Sequence, residues 1–329
     1  MKAWRVHELG EPEQVMRLDD TERPEPGPGQ LLVRVEAAAL NFPDALLARG
    51  HYQIRPPLPF TPGLEMAGEV VSAGEGVTGP RPGDRVLGTP EIPFGALAEY
   101  TLVPADQAFA VPEPLDAAEA AALHIAYQTG WFALHRRAAL QPGETLLVHA
   151  AAGGVGSAAI QLGKAAGARV IAVAGSADKA KVCADLGADV VVDRREHDFV
   201  AVVKESTGGS GADVVFDPVG GDAYDRSTKC VAFEGRILVI GFTSGRIPQA
   251  AANHVLVKNY SVVGVHWGLY RTYAPELIVA CHEELTRLAG AGAIRPFVSE
   301  RLPMAAAADG VARIAAGRTV GRLVVQPGV

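Results

Sequence analysis

The sequence predicts an α/β protein in two parts: a doubly wound, parallel-sheet domain joined to a mainly β, barrel-like domain. Three observations predict it. The chain has 329 residues, more than one domain usually holds. From about residue 145 onward, six short Val/Ile-rich runs alternate with helical stretches, as a parallel sheet covered on both faces requires. Residues 1–110 read instead as short strands punctuated by Gly and Pro, the pattern of a compact β domain.

Residues 31–37 partly alternate between apolar and polar, as a half-buried strand does. Residues 25–29 and 81–84, rich in Pro and Gly, are turns. Residues 43–48 suit a short helix, with Pro43 in its first turn and Gly50 as its stop. The grammar changes near Pro112-Glu113-Pro114. The six strands that follow are predicted at 145–149, 169–174, 190–192, 214–216, 236–240 and 261–265, with helices at 156–166 and from about Ser176. The tail gives a helix after Pro275, a segment at 295–301, a helix at 304–316 and a strand at 321–325. Pattern alone leaves open whether that last strand extends the parallel sheet or returns to the first domain.

Several classes are disfavoured. The formal charge is −7 and no basic stripe is present, unlike a nucleic-acid binder. Cys183, Cys230 and Cys281 are far apart and form no CxxC pair; they are expected to be small buried residues in a reducing compartment. The first residues are charged where a signal peptide is apolar. No apolar run reaches the roughly 18 residues that span a bilayer. A cytoplasmic location is expected.

The strongest local signal is the run 147–159. It reads as strand, then the small-residue turn Ala151-Ala152-Gly153-Gly154-Val155-Gly156, then helix. Small residues let the backbone approach a pyrophosphate, and the amides at the helix start attract it. Position 151 is Ala where the strict Gly-x-Gly-x-x-Gly motif has Gly; the strand–turn–helix context supports a Rossmann cofactor domain all the same. The second strand ends at Ala174 without the Asp or Glu that holds the ribose of NAD. Gly175, Ser176 and Lys179 follow it, and the third strand ends in Arg194 and Arg195. Such groups suit a 2′-phosphate, so the expected cofactor is NADPH. Asp178 would oppose this if it pointed inward. Which of the two arginines meets the phosphate stays open.

Residues 41–44 (Asn-Phe-Pro-Asp), 62–68, 81–86 and the phosphate turn together resemble the medium-chain dehydrogenase/reductase superfamily, in its zinc-free NADPH:quinone oxidoreductase (zeta-crystallin-like) branch. The resemblance implies a GroES-like substrate domain from 1–120 with 265–329, a cofactor domain at 121–264, and a homodimer or homotetramer. It places Asn41 and Thr129 near the nicotinamide and its ribose. It also places Gly241-Phe242-Thr243 and Val265-His266-Trp267-Gly268 at strand ends facing the cofactor, with Arg322 closing over it from the tail. Zinc members carry Cys at the position of Asn41 and His at that of Leu64, so metal-free chemistry is implied, as catalytic zinc needs three protein ligands.

The implied reaction is hydride transfer from NADPH to a quinone or activated enone. Tyr52 matches a Tyr of the enoyl-thioester reductases, where its hydroxyl serves the substrate. The branch often has Tyr where Arg194 stands, which points to an ion pair with phosphate in place of stacking. An enoyl-thioester reductase, with Arg49, Arg55 and Arg271 as a basic rim, is the close alternative. A non-catalytic NADPH-binding protein is the distant one. His149 is expected as a core histidine, and His282-Glu283-Glu284 lacks the second His of a metalloprotease helix.

Overall fold

The computed structural model describes residues 1–328, and the chain divides into two units: Met1–His124 with Pro296 onward, and Ile125–Arg295. The first unit begins with β1 (Lys2–Val6), β2 (Met16–Asp20), β3 (Gln30–Ala39), β4 (Met66–Ala73), β5 (Arg85–Gly88), β6 (Tyr100–Pro104) and β7 (Ala108–Ala110). The second holds β8 (Thr145–Val148), β9 (Arg169–Ala174), β10 (Val190–Asp193), β11 (Ala212–Asp217), β12 (Val231–Val239) and β13 (Ser261–Gly264). The chain then returns to the first unit with β14 (Val298–Pro303) and β15 (Arg322–Gln326).

In the second unit the order is β10-β9-β8-β11-β12-β13, and every pair is parallel. This is the doubly wound arrangement read from the sequence, with its switch between β8 and β11. The central strand β8 is buried along its whole length, which explains its unbroken apolar run. Because all six strands point one way, their carboxyl ends share one edge of the sheet.

His149 is the first residue beyond β8 and is buried. Ser227 Oγ gives its own hydrogen to the Ala223 carbonyl at 2.7 Å, so His149 Nε2 is the donor in its 2.8 Å bond to that hydroxyl. Burial, helped by the charge of Arg226, pushes the imidazole pKa down to about 3. An unfolded His binds its proton near pH 6.5, so between these values the unfolded chain holds more protons. The stability that neutral His149 supports is complete above pH 6.5 and is lost as pH falls towards 3. Urea melts should therefore show His149→Gln, which retains a donor for Ser227, losing less stability than wild type between pH 6.5 and 4.

The first unit contains the two-stranded sheet β1-β2 and a larger sheet with the path β14-β15-β3-β4-β5-β7, with β6 also on β3. The question of the last strand is answered here: β15 pairs antiparallel with β3, Val324 opposite Ala39, and parallel with β14. Trp4 Nε1 donates to the Met304 carbonyl oxygen at 2.8 Å, tying the two chain ends together.

The expected return at 265 needs correction, for residues 265–295 stay with the second unit. Trp267 Nε1 donates to Gln128 Oε1 at 2.8 Å, and Phe132 stacks on Tyr270 at 4.0 Å. Tyr127 Oη and Gln161 Nε2 both donate to the Arg295 carbonyl. The helix Pro275–Gly290 buries Ile278, Cys281, Leu285 and Leu288, a stripe of helical spacing that holds it in place. All three cysteines are free and buried.

Candidate functional site

Each unit gathers a cluster of the residues singled out above. In the second, the turn after β8 is closed by Gly153 N donating to the Ala150 carbonyl at 2.9 Å and tied to β9 by Ala151 N donating to the Val173 carbonyl at 3.1 Å. Ala150, with φ 46°, takes the left-handed position. The turn therefore asks no glycine of position 151, which accounts for the imperfect motif. Gly156 is the strict requirement: a Cβ there would lie 2.4 Å from the Ala150 carbonyl oxygen and 2.7 Å from Ala151 Cα. Its helix, Gly154–Ala165, thus starts hard against the turn. The amides of Gly154, Val155 and Gly156 precede its first internal bond, from Ser157 N to the Gly153 carbonyl. Such amides and the helix dipole suit an anion.

At the ends of β9 and β10 the second group assembles. Ser176 caps the helix Ala177–Asp185, its hydroxyl accepting from Lys179 N at 3.3 Å. A Cβ on Gly175 would lie 3.5 Å from Arg194 Nε, so the Arg194 side chain runs beside this glycine. Arg195 lies beside Asp193, its Nε 3.5 Å from Asp193 Oδ1. Burial, and then the positive charge of Arg194, lower the pKa of Lys179. Two cations that repel each other while Asp178 stands in solvent are relieved by an arriving anion.

Along the same sheet edge, Thr243 N and Oγ1 both donate to the Pro218 carbonyl at 3.1 Å. Phe242 is partly exposed there, beside Gly220. Trp267, through Gln128, is brought to the helix that carries the buried Thr129, and Gly268 lies against the His266 ring. Sequence reasoning missed Asp217. It is buried at the tip of β11, and its Oδ1 accepts from Val219 N at 2.8 Å and Gly220 N at 3.0 Å. Burial raises its pKa against these hydrogen bonds. The signal was an acidic residue ending a strand just before Pro-Val-Gly-Gly.

In the first unit Asn41, Asp44, Glu65 and Arg322 form a buried polar cluster. Asn41 caps the helix Phe42–Ala48 in a capping box with Asp44. Asp44 Oδ2 accepts from Asn41 N at 2.8 Å and its Oδ1 from Gly63 N at 3.0 Å, while burial drives its pKa up to about 7. Arg322 corrects an expectation. It is no arm reaching from the tail: it is 4% exposed, bonded to Glu65 and, at 2.9 Å, to Asn41 Oδ1. Arg318, four residues earlier in the chain, is the exposed one. Tyr52 and Leu64 are half-buried against the core of this unit.

This donor set does not fit a catalytic zinc. Positions 41 and 64 offer an amide and a hydrocarbon, and the carboxylates of Asp44 and Glu65 are committed to backbone amides and to Asn41 and Arg322. Among the described residues no trio of His, Cys, Asp or Glu is gathered for a metal. No helix among them is long and apolar enough to cross a membrane.

Two family models match the chain: the alcohol dehydrogenase GroES-like domain over residues 27–113 and the zinc-binding dehydrogenase family over residues 154–282. The quinone oxidoreductase-like protein 2 homolog of Nematostella vectensis is 37% identical, over 98% of this chain and 88% of its own length. The Escherichia coli quinone oxidoreductase, solved in complex with NADPH, is 30% identical with a TM-score of 0.91 over 99% of this chain and 100% of its own. The CurK enoyl reductase is 28% identical with a TM-score of 0.87, over 99% and 98%.

Proposed function

Since the chain belongs to the zinc-free quinone oxidoreductase branch of the medium-chain dehydrogenase/reductase superfamily, we propose that it is an NADPH-dependent reductase of quinones or activated enones. The observation that carries this reading is the pairing of Lys179 and Arg194 beyond a glycine cradle that admits no side chain at position 156. When bound, NADPH supplies the hydride. The amides of Gly154, Val155 and Gly156 cradle the pyrophosphate above the turn that Ala152 and Gly153 shape, and Ser176, Lys179 and Arg194 hold the 2′-phosphate. Gly241 to Thr243, Thr129, Trp267 and Gly268 line the rest of the cofactor's path. The Tyr52 hydroxyl polarises the acceptor carbonyl or gives it a proton.

An acceptor panel with NADPH tests the reading: benzoquinones, naphthoquinones, small enones and crotonyl thioesters. Turnover of thioesters alone would replace it with an enoyl-thioester reductase, which Tyr52 and the resemblance to CurK favour. NADPH binding without turnover of any acceptor would leave a non-catalytic binding protein. The cofactor preference has its own test. Each charge-assisted bond to phosphate contributes about 1.5–3 kcal/mol, so Lys179→Ala/Arg194→Ala should weaken NADPH about 100-fold or more and leave NADH unchanged in fluorescence titration.

The homo-oligomer is proposed to form along β13, an edge strand whose Ser261 and Gly264 are exposed. The preceding helix Ala252–Lys258 buries none of its residues, and Leu256 and Val257 are 79% and 83% exposed, as is Phe233 at 73%. An open edge beside exposed apolar side chains invites pairing. Leu256→Glu/Val257→Glu should give a monomer by sedimentation where wild type gives a dimer or larger species.

A further inference from the structure

Within the second unit, the loop after β12 is held by the turn after β11. Three successive carbonyls of that turn accept from the loop: Asp217 from Ile240 N at 3.0 Å, Pro218 from Thr243 N at 3.1 Å, and Val219 from Ser244 N at 3.0 Å. Thr243 Oγ1 adds a second bond to the Pro218 carbonyl at 3.1 Å. The turn has its own anchor in the buried Asp217 side chain, whose Oδ1 accepts from Val219 N at 2.8 Å and Gly220 N at 3.0 Å. Gly220 takes φ 66°, and a Cβ there would lie 3.0 Å from Cδ1 of the Phe242 ring, so turn and loop pack with no space for a side chain between them. Farther along, Gly221 N donates to the Arg246 carbonyl at 3.0 Å, and the Arg246 guanidinium pairs with Asp222 and Asp225. Those ion pairs stand in solvent, where such pairs contribute little. The bonds of the buried Asp217 are the stronger hold, because a buried N–H left without its acceptor is costly.

The strand order says which part of the dinucleotide meets this loop. With the 2′-phosphate at the tips of β9 and β10 and the pyrophosphate beyond β8, the molecule continues over β11 and β12, and its nicotinamide riboside reaches residues 240–244. We infer that Asp217 is a positioning residue: its carboxyl group sets the turn at 218–220, the turn sets the loop at 240–244, and the loop fixes the nicotinamide riboside. The inference rests on the NADPH reading above. An acidic residue at a strand tip of this fold is ordinarily one that holds a ribose hydroxyl. Asp217 instead spends its acceptor oxygen on the backbone and acts on the ligand through the loop.

The test compares two ligands, NADPH and 2′,5′-ADP, which lacks the nicotinamide riboside, by fluorescence and calorimetric titration of the full chain. Asp217→Ala should weaken NADPH about tenfold, the loss of one or two ordinary hydrogen bonds, and leave 2′,5′-ADP unaltered. Asp217→Asn should bind NADPH as wild type does, because its amide oxygen can accept both N–H groups. Arg246→Gln should change NADPH affinity less than about twofold, since its pairs are exposed. Unchanged NADPH affinity in Asp217→Ala would overturn the inference. So would equal weakening of both ligands, the mark of a merely structural residue, or an Asp217→Asn as weak as Asp217→Ala. An Arg246→Gln loss as large as that of Asp217→Ala would move the hold to the ion pairs and overturn it too. If Asp217→Ala does not fold, hydrogen exchange of the wild type decides: the amides of Ile240, Thr243 and Ser244 should be protected before NADPH is added, and protection that arises only with NADPH would overturn the inference. A wild type that binds neither ligand overturns the cofactor reading, and this inference with it.

Discussion

Arg322→Ala destabilises the first unit by about 3–5 kcal/mol, the largest stability loss expected from any single substitution considered. The reason lies in what it leaves behind. Glu65 is fully buried, and its carboxylate takes hydrogens from Arg322 and Asn41. Without the guanidinium that buried charge loses its cation, and an uncompensated buried charge costs more than its pair contributed. Urea unfolding followed at Trp4 reports on this unit, because the other two tryptophans, Trp131 and Trp267, lie in the second. The double variant Arg322→Met/Glu65→Leu separates pairing from packing: it should recover most of the lost stability. If the double variant is as unstable as Arg322→Ala, the loss came from packing and not from charge.

Gly156→Val should reduce the affinity for NADPH at least about 100-fold, equivalent to about 2.7 kcal/mol. The atoms a Cβ would meet at 2.4 and 2.7 Å are backbone atoms of Ala150 and Ala151, with no flexible side chain to swing aside. Either the turn opens or the first turn of the helix Gly154–Ala165 lifts, and in both cases the amides no longer converge. NADH should lose the same factor, because the pyrophosphate is common to both dinucleotides. This contrasts with Lys179→Ala/Arg194→Ala, which should separate the two. Equal NADPH affinity in wild type and Gly156→Val would remove the pyrophosphate from this turn.

The second unit was the more legible part of the sequence. Strands buried on both faces must be apolar throughout, so runs such as 169–174 coincide with β9 residue for residue. In the first unit β5 and β7 are four and three residues long, too short for any periodicity to show. The helix Pro275–Gly290 reads the same whichever unit covers its apolar stripe, so the return at 265 rested on the resemblance alone and was set too early. Arg322 was misread for a related reason. A lone arginine in a tail is ordinarily exposed, and nothing near it in the chain announces a buried carboxylate 257 residues away.

The pairing of β15 with β3 also orders events during translation. Residues 125–295 leave the ribosome before the segment that starts at Pro296, so the parallel-sheet unit has its whole sequence while the first unit still lacks β14 and β15. Until they arrive, Ala38 and Ala39 of β3 present a strand edge with no partner beside a core still missing Met304, Leu323 and Val325. Unpaired edges and open apolar cores are what chaperones attend to and what aggregates grow from. Premature termination after residue 295 would therefore release a finished cofactor unit tethered to an unfinished sheet, and the segment from Pro296 onward acts as the bolt that closes the first unit.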